Sequence, residues 1–253
     1  MPKFSLCIEP VLPQLDFYDR IPAAAELGFD AIEFWDPTGK DIDRIARLAA
    51  QNKLSVSICC NKDPWKVRMN APASAVVANI RESVQIAKGL GCPSLIVLSG
   101  DVDAHGGAQK DVLIDNLKRV GDIVAKENVT LNLEALNSLV DHKGYFLDSS
   151  YLGFEIVNGV GSDCIRLLYD VYHMQIMEGN IIDNVTRNIN LIGHFHSAAV
   201  PGRHEHFNGE NDYPNILEAI DAAGYDRFFG VEYWPTYDHT GSLVDVLKYL
   251  KGG

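Results

Sequence analysis

Three carboxylates and an imidazole recur at the ends of four successive apolar runs: Leu131-Asn132-Leu133-Glu134, Leu167-Leu168-Tyr169-Asp170, Gly193-His194-Phe195-His196 and Gly230-Val231-Glu232. The spacings between Glu134, Asp170, His196 and Glu232 are 36, 26 and 36 residues, each close to one strand–helix unit. Taken singly, each residue has a plain structural explanation. A carboxylate after a strand commonly caps a helix, and a histidine beside a strand is commonly a satisfied core residue. Taken together at one level, three carboxylates without a cation repel one another and have to take up protons. A divalent metal resolves that clash, so these four residues are expected to be its ligands. Oxygen-rich donor sets suit Mg²⁺ or Mn²⁺, and a single imidazole also admits Co²⁺ or Zn²⁺.

The neighbouring residues add polar chemistry. Asp170-Val171-Tyr172-His173 places His173 three residues beyond a ligand, either within reach of a substrate oxygen or as a partner of that ligand. Pro201-Gly202-Arg203-His204-Glu205-His206 offers the Arg203 guanidinium to a carboxylate or hydroxyls. His204 and His206 read as loop polarity, and His194, two residues before His196, reads equally well as core. Trp35 and Trp65 follow the second and third apolar runs, where they wall a small substrate or cap the interior. Glu33 and Glu9 lie at the ends of early runs with no assigned task. Cys59 and Cys60 are expected to end a buried strand as small apolar residues rather than to bind a soft metal.

These groups need a scaffold that delivers them from strand ends. Short runs rich in Val, Ile, Leu and Phe stand at Phe4–Ile8, Ala31–Phe34, Ser55–Ile58, Leu95–Leu98, Thr130–Leu133, Arg166–Tyr169, Leu191–Phe195 and Phe228–Val231. Helical periodicity fills the gaps at Leu15–Leu27, Asp41–Gln51, Ala73–Leu90 and Lys110–Glu127, and more weakly at Tyr151–Asn158, Ile182–Ile189, Ile216–Ala223 and Ser242–Leu250. Glycine follows several helices, as at Gly28, Gly91 and Gly224. Eight strand–helix repeats predict an α/β fold, a single (β/α)8 TIM barrel over residues 1–253, whose catalytic groups sit at the C-terminal strand ends. A doubly wound open sheet is disfavoured, since no glycine-rich nucleotide loop is present.

Composition narrows the function classes. Of the 253 residues 47% are hydrophobic, enough for a large core, and 34 acidic against 22 basic side chains leave a net charge of −12. That charge opposes nonspecific binding to nucleic acid. No apolar run approaches the roughly 20 residues of a membrane span, and Met1-Pro2-Lys3-Phe4 has no secretory pattern. Five cysteines without a C-x-x-C pair suit reduced thiols. A cytoplasmic enzyme acting on a small molecule is expected, with Trp234 and Tyr237 available to a homo-oligomer contact.

The segments Asn132-Leu133-Glu134-Ala135-Leu136-Asn137, Tyr169-Asp170-Val171-Tyr172-His173-Met174-Gln175, Asn208-Gly209-Glu210-Asn211-Asp212-Tyr213 and Gly230-Val231-Glu232-Tyr233-Trp234-Pro235, with His196 through Glu205, carry a resemblance. The chain resembles the hydroxypyruvate isomerase family within the xylose isomerase-like TIM barrels, over essentially its whole length. The resemblance implies isomerisation of a small sugar or keto acid at a divalent metal. Glu134 and Glu232 match the glutamate pair that moves the proton. Glu134, Asp170, His196 and Glu232 match the metal quartet of related ketose epimerases, while His173 and Arg203 match positions that hold substrate oxygens. Many hydroxypyruvate isomerases carry Gln where His196 stands, which brings this site closer to the epimerase pattern. Ser197-Ala198-Ala199 also lacks an acidic residue often found after the seventh strand. A ketose 3-epimerase is therefore the alternative. An endonuclease IV-like nuclease would need more histidines and a basic surface, and a sugar-binding module would have no use for two glutamates around one metal.

Overall fold

The computed structural model of the chain describes residues 1–103 and 105–252. Among these, eight short runs pair in parallel: β1 (Lys3–Cys7), β2 (Ala31–Phe34), β3 (Ser55–Cys60), β4 (Ser94–Leu98), β5 (Thr130–Glu134), β6 (Ile165–Asp170), β7 (Ile192–Ser197) and β8 (Phe228–Val231). They follow chain order around a closed barrel, with β8 returning to β1. Strands covered on both sides read as continuous apolar runs, which is why almost every strand residue here is buried. The expected (β/α)8 TIM barrel is the observed fold.

The helices are α1 (Arg20–Glu26), α2 (Ile42–Gln51), α3 (Ala73–Leu90), α4 (Gln109–Lys126), α5 (Ser150–Val160), α6 (Val171–Met177), α7 (Ile181–Arg187), α8 (Tyr213–Ala222) and α9 (His239–Leu250). The longer ones bury one stripe each, as in Val76, Ile80, Val84 and Ala87 of α3. Element ends shift by up to three residues, as where α8 and α9 begin at Tyr213 and His239, and two helices depart further from the sequence reading. The first helix begins at Arg20, after a 3₁₀ turn over Phe17–Asp19. Pro22 has no N–H to donate and its ring clashes with a preceding helical carbonyl, so it is tolerated only in a first turn. Helix α6 has no counterpart in the sequence reading; Asp170 starts it from the last position of β6. Gly28, Gly91 and Gly224 do take left-handed conformations after their helices, with φ of 88°, 64° and 86°.

Register gathers the predicted ligands at one end of the barrel, Asp170 and His196 level and the neighbours Glu134 and Glu232 each offset by two residues. Asp170 pairs with His196 across β6 and β7, His196 with Gly230 across β7 and β8, and Glu134 with Leu168 across β5 and β6. Two irregularities interrupt the ladders. Ile32 pairs with Val56 and Glu33 with Ile58, passing over Ser57, and Leu167 pairs with Ile192 and Leu168 with His194, passing over Gly193.

The loop after β7 is fastened to the segment after β8 by Glu205. Its carboxylate is buried and accepts from the Thr236 backbone N–H at 2.7 Å, the Ser242 hydroxyl at 2.9 Å and the Thr236 hydroxyl at 2.9 Å. Burial opposes the charge, but these donors, led by the Thr236 N–H, outweigh it and hold the carboxyl below its ordinary range. Glu205→Ala strands the donors and is expected to cost about 2–3 kcal/mol at pH 7. A lowered folded-state pKa stabilises above the unfolded value near ~4.3, and the benefit is lost as pH falls through the folded value. Urea denaturation should therefore show a gap between the parent and Glu205→Ala that narrows below about pH 4. Equal midpoints at pH 7 would contradict this.

Candidate metal centre and active site

Strand ends deliver Glu134, Asp170 and His196, all buried, so that one ligating atom of each lies within 4.8 Å of the others. His196 Nδ1 is 3.2 Å from Glu134 Oε1 and 3.5 Å from Glu232 Oε2. Asp170 divides its work between two oxygens. Its Oδ1 caps α6, accepting from the backbone N–H groups of Tyr172 at 2.8 Å and His173 at 3.4 Å. Among the described residues, its Oδ2 is buried without a hydrogen-bond partner. Helix capping and metal ligation thus do not compete for this side chain. A buried orphan carboxylate oxygen beside two more carboxylates and an imidazole fits a divalent cation.

The electrostatics carry the same message. Burial pushes the Asp170 carboxyl up to about 7, against the pull of Arg203 and His196, with Glu232 and Glu134 adding to the rise. Burial is the main cause, and the repulsion expected where carboxylates converge without a cation adds to it. Burial disfavours the charge on His196, yet Glu232 and Glu33 outweigh it and hold its pKa well above the ordinary value.

Glu232, just past β8, is held by several donors. Trp35 Nε1–H donates to its Oε1 at 2.5 Å, Arg203 Nη2 donates to Oε2, and the Cys7 thiol approaches at 3.8 Å. Burial works to raise this carboxyl, but Arg203 and then His196 prevail and keep it below its usual range. The Arg203 guanidinium is also 3.6 Å from Asp170 Oδ2 and lies 4.9 and 5.1 Å from the Trp234 and Tyr172 ring centres. It lines the cleft, with one nitrogen engaged by the carboxylates.

His173 is buried beneath the same cleft. The backbone N–H of Asn137 points at His173 Nδ1 from 3.2 Å, and the Asn137 amide lies 2.6 Å from it. A backbone N–H can only donate, so Nδ1 accepts and the ring proton sits on Nε2. Burial keeps the ring neutral. Nε2 is 3.4 Å from Asp170 Oδ2, so His173 both faces a predicted ligand and borders the substrate space.

Of their two readings, the structure places Trp35 and Trp65 along the cleft, together with Trp234, Leu136 and His142. Cys59 and Cys60 close β3 as buried residues, and neither belongs to a candidate metal group among the described residues. Glu9 pairs with Lys40 at 2.9 Å. His206, read as loop polarity, is instead fully buried, with Nε2 2.9 Å from the Ser197 hydroxyl. Sequence reasoning also left Glu33 idle. The structure joins it to His194 and His196 in a second buried cluster, and its inward place on a strand between apolar neighbours was the available signal.

Residues 21–251 match the family model described as xylose isomerase-like TIM barrel, and the chain belongs to that family. The clustered donors and the isomerases among its relatives support an isomerase-type enzyme with a candidate divalent-metal site. Among its relatives, the 2-oxo-tetronate isomerase of Pectobacterium atrosepticum is 30% identical over 93% of this chain and 93% of its own. The hydroxypyruvate isomerase of Escherichia coli is 27% identical over 93% of this chain and 94% of its own. The crystal structure of a Brucella melitensis protein described as AP endonuclease, family 2, superposes with a TM-score of 0.92, at 27% identity over 98% of this chain and 99% of that one. Among the described residues, no helix is long and apolar enough to cross a membrane.

Proposed function

We propose that the protein isomerises a small 2-hydroxy carbonyl compound, hydroxypyruvate or a related keto acid or sugar, by moving a proton between neighbouring carbons. The observation that carries this reading is the grouping of Glu134, Asp170 and His196, whose ligating atoms lie within 4.8 Å of one another, with Glu232 facing the same imidazole. These four residues would hold one divalent ion, Mn²⁺ or Mg²⁺ suiting the oxygens best and Co²⁺ or Zn²⁺ compatible with the imidazole. Bound there, such an ion stabilises negative charge developing on substrate oxygens.

The chain's own residues supply the rest. One of the glutamates Glu134 and Glu232 takes the proton beside the carbonyl, and the other returns it at the adjacent carbon. Trp35 and Arg203 favour the ionised form of Glu232, the form a base needs. His173 presents an Nε2–H to a substrate oxygen, and Arg203 turns its remaining donors to the hydroxyl or anionic end. The Trp35, Trp65 and Trp234 rings limit water around the reacting carbons.

Returning the proton to the same carbon from the opposite face gives epimerisation, the alternative reading. Residues 1–253 are taken to act as one barrel domain in the cytoplasm, on a small molecule and without nucleic acid. For the nuclease activity in the Brucella protein's description, the net charge of −12 speaks against a DNA-facing role here. Turnover assays with Mn²⁺ or Mg²⁺ on hydroxypyruvate, 2-oxo-tetronate and free ketohexoses test the reading. Turnover of a keto acid is the expected result, and turnover of ketohexoses alone would replace isomerisation by epimerisation.

A further inference from the structure

Beneath the candidate metal centre lies a second polar cluster that the reaction scheme leaves unused. Glu33 Oε2 is 2.9 Å from His194 Nε2 and accepts from the Ser57 hydroxyl at 3.2 Å, and Ser57 lies 2.6 Å from the Ser5 hydroxyl. Glu33 Oε1 is 3.1 Å from His196 Nε2. The two atoms face each other without the alignment of a formed hydrogen bond, and among the described residues neither has another partner. All three residues are buried, where polar atoms are paired as a rule.

The barrel is shaped to make this contact. The two register irregularities fall at Ser57 and Gly193, beside Glu33 and His194 respectively. Such irregularities re-aim side chains next to active sites. On β8, a Cβ at Gly230 would stand 2.5 Å from Glu33 Oε1, 2.7 Å from His196 Cδ2 and 2.8 Å from the Phe195 carbonyl. Only glycine leaves room there for the carboxylate and the ring. One nitrogen of His196 is thus turned down to Glu33, and the other up to Glu134 and Glu232.

We propose that Glu33 is a positioning residue which holds His196 by Nε2, so that Nδ1 is the atom offered to the metal. A carboxylate behind a ligating imidazole sets which nitrogen carries the proton and which way the ring points. His194 and Ser57 in turn hold the carboxylate. The inference rests on the metal-centre reading above. It also excludes a competing use of the same residues, a second ion bound by Glu33, His194 and His196, because His196 Nε2 would then be a ligand and could not carry the proton.

The first test needs no variant. The ¹⁵N-labelled protein is loaded with Zn²⁺ and its histidine rings are followed by two-bond ¹H–¹⁵N correlation. His196 is expected to show a metal-bound Nδ1 and a protonated Nε2, whereas a metal-bound Nε2 overturns the proposal. The second measures Mn²⁺ affinity and stoichiometry by titration in the parent protein, Glu33→Gln and Ser57→Ala. The parent is expected to take one ion, and Glu33→Gln to bind it about 10–100-fold more weakly, with unchanged circular dichroism and Ser57→Ala in between. One ion bound with equal affinity in the parent and Glu33→Gln overturns the positioning role and leaves the metal centre standing. Two ions in the parent and one in Glu33→Gln makes Glu33 a ligand instead and also overturns it. No ion in the parent overturns the metal-centre reading, and this inference with it.

Discussion

Glu134→Gln and Glu232→Gln are each expected to lower turnover on the physiological substrate by about 10³-fold, within the range set by losing an acid or base from proton transfer. Glutamine keeps the size of the side chain and one ligating oxygen, but it cannot accept and return a proton. Each glutamate also faces His196, at 3.2 and 3.5 Å, so either variant weakens the ligand set as well as the proton path. The double variant should fall little below the single ones, because groups that act as a unit are not additive. Glu232→Gln has a further consequence. It removes the nearer of Arg203's two charged partners, leaving Asp170 at 3.6 Å, and gives Trp35 Nε1–H a neutral acceptor, so KM should move more than in Glu134→Gln. Steady-state kinetics at saturating metal decide this. Near-parent turnover in both single variants would remove the two-glutamate scheme.

The second large effect concerns the ion. Stripping the protein with a chelator is expected to abolish turnover, and added Mn²⁺ or Mg²⁺ to restore it. Without a cation, burial and the neighbouring carboxylates together favour the protonated form of Asp170. The ion should also stabilise the fold. At a free concentration 100 times its dissociation constant the gain is about 2.7 kcal/mol, a rise of a few degrees in Tm for a chain of this length. Asp170→Asn should lose most of that rise while still capping α6, since Asn accepts from the Tyr172 N–H through one oxygen. A metal-independent Tm together with full activity after chelation would contradict the account.

Much of this was legible in the sequence, and the exceptions have physical reasons. Glu134, Asp170, His196 and Glu232 stood out because neighbouring strands of a closed parallel barrel end at the same face, so a recurring spacing hints at proximity; the structure groups the first three, and Glu232 faces His196 at 3.5 Å. The eight strands were readable for a related reason, since burial on both faces makes them uninterrupted apolar runs. Glu33 was readable as a buried charge between apolar neighbours, but its partners in the site were not. Its contact with His194 and His196 depends on two one-residue register shifts and on the space at Gly230, none of which leaves a periodic trace. His206 misled because a polar residue in a loop is ordinarily solvated, whereas this loop folds inward and buries the ring against Tyr213 and Tyr233. The engagement of Arg203 by Glu232 and Asp170 likewise required three dimensions, for the loop after β7 meets the end of β8 only in the folded chain.

The central claim is that this barrel moves a proton beside a carbonyl with two glutamates at a divalent metal. Deuterium exchange in D₂O, followed by NMR with hydroxypyruvate, 2-oxo-tetronate and ketohexoses, tests it most directly. The account predicts that Mn²⁺- or Mg²⁺-loaded protein incorporates deuterium beside the carbonyl of a small keto acid, and that chelated protein and Glu134→Gln do not. Metal-loaded protein that turns such a substrate over without any incorporation, or that incorporates deuterium equally well after chelation, would contradict it.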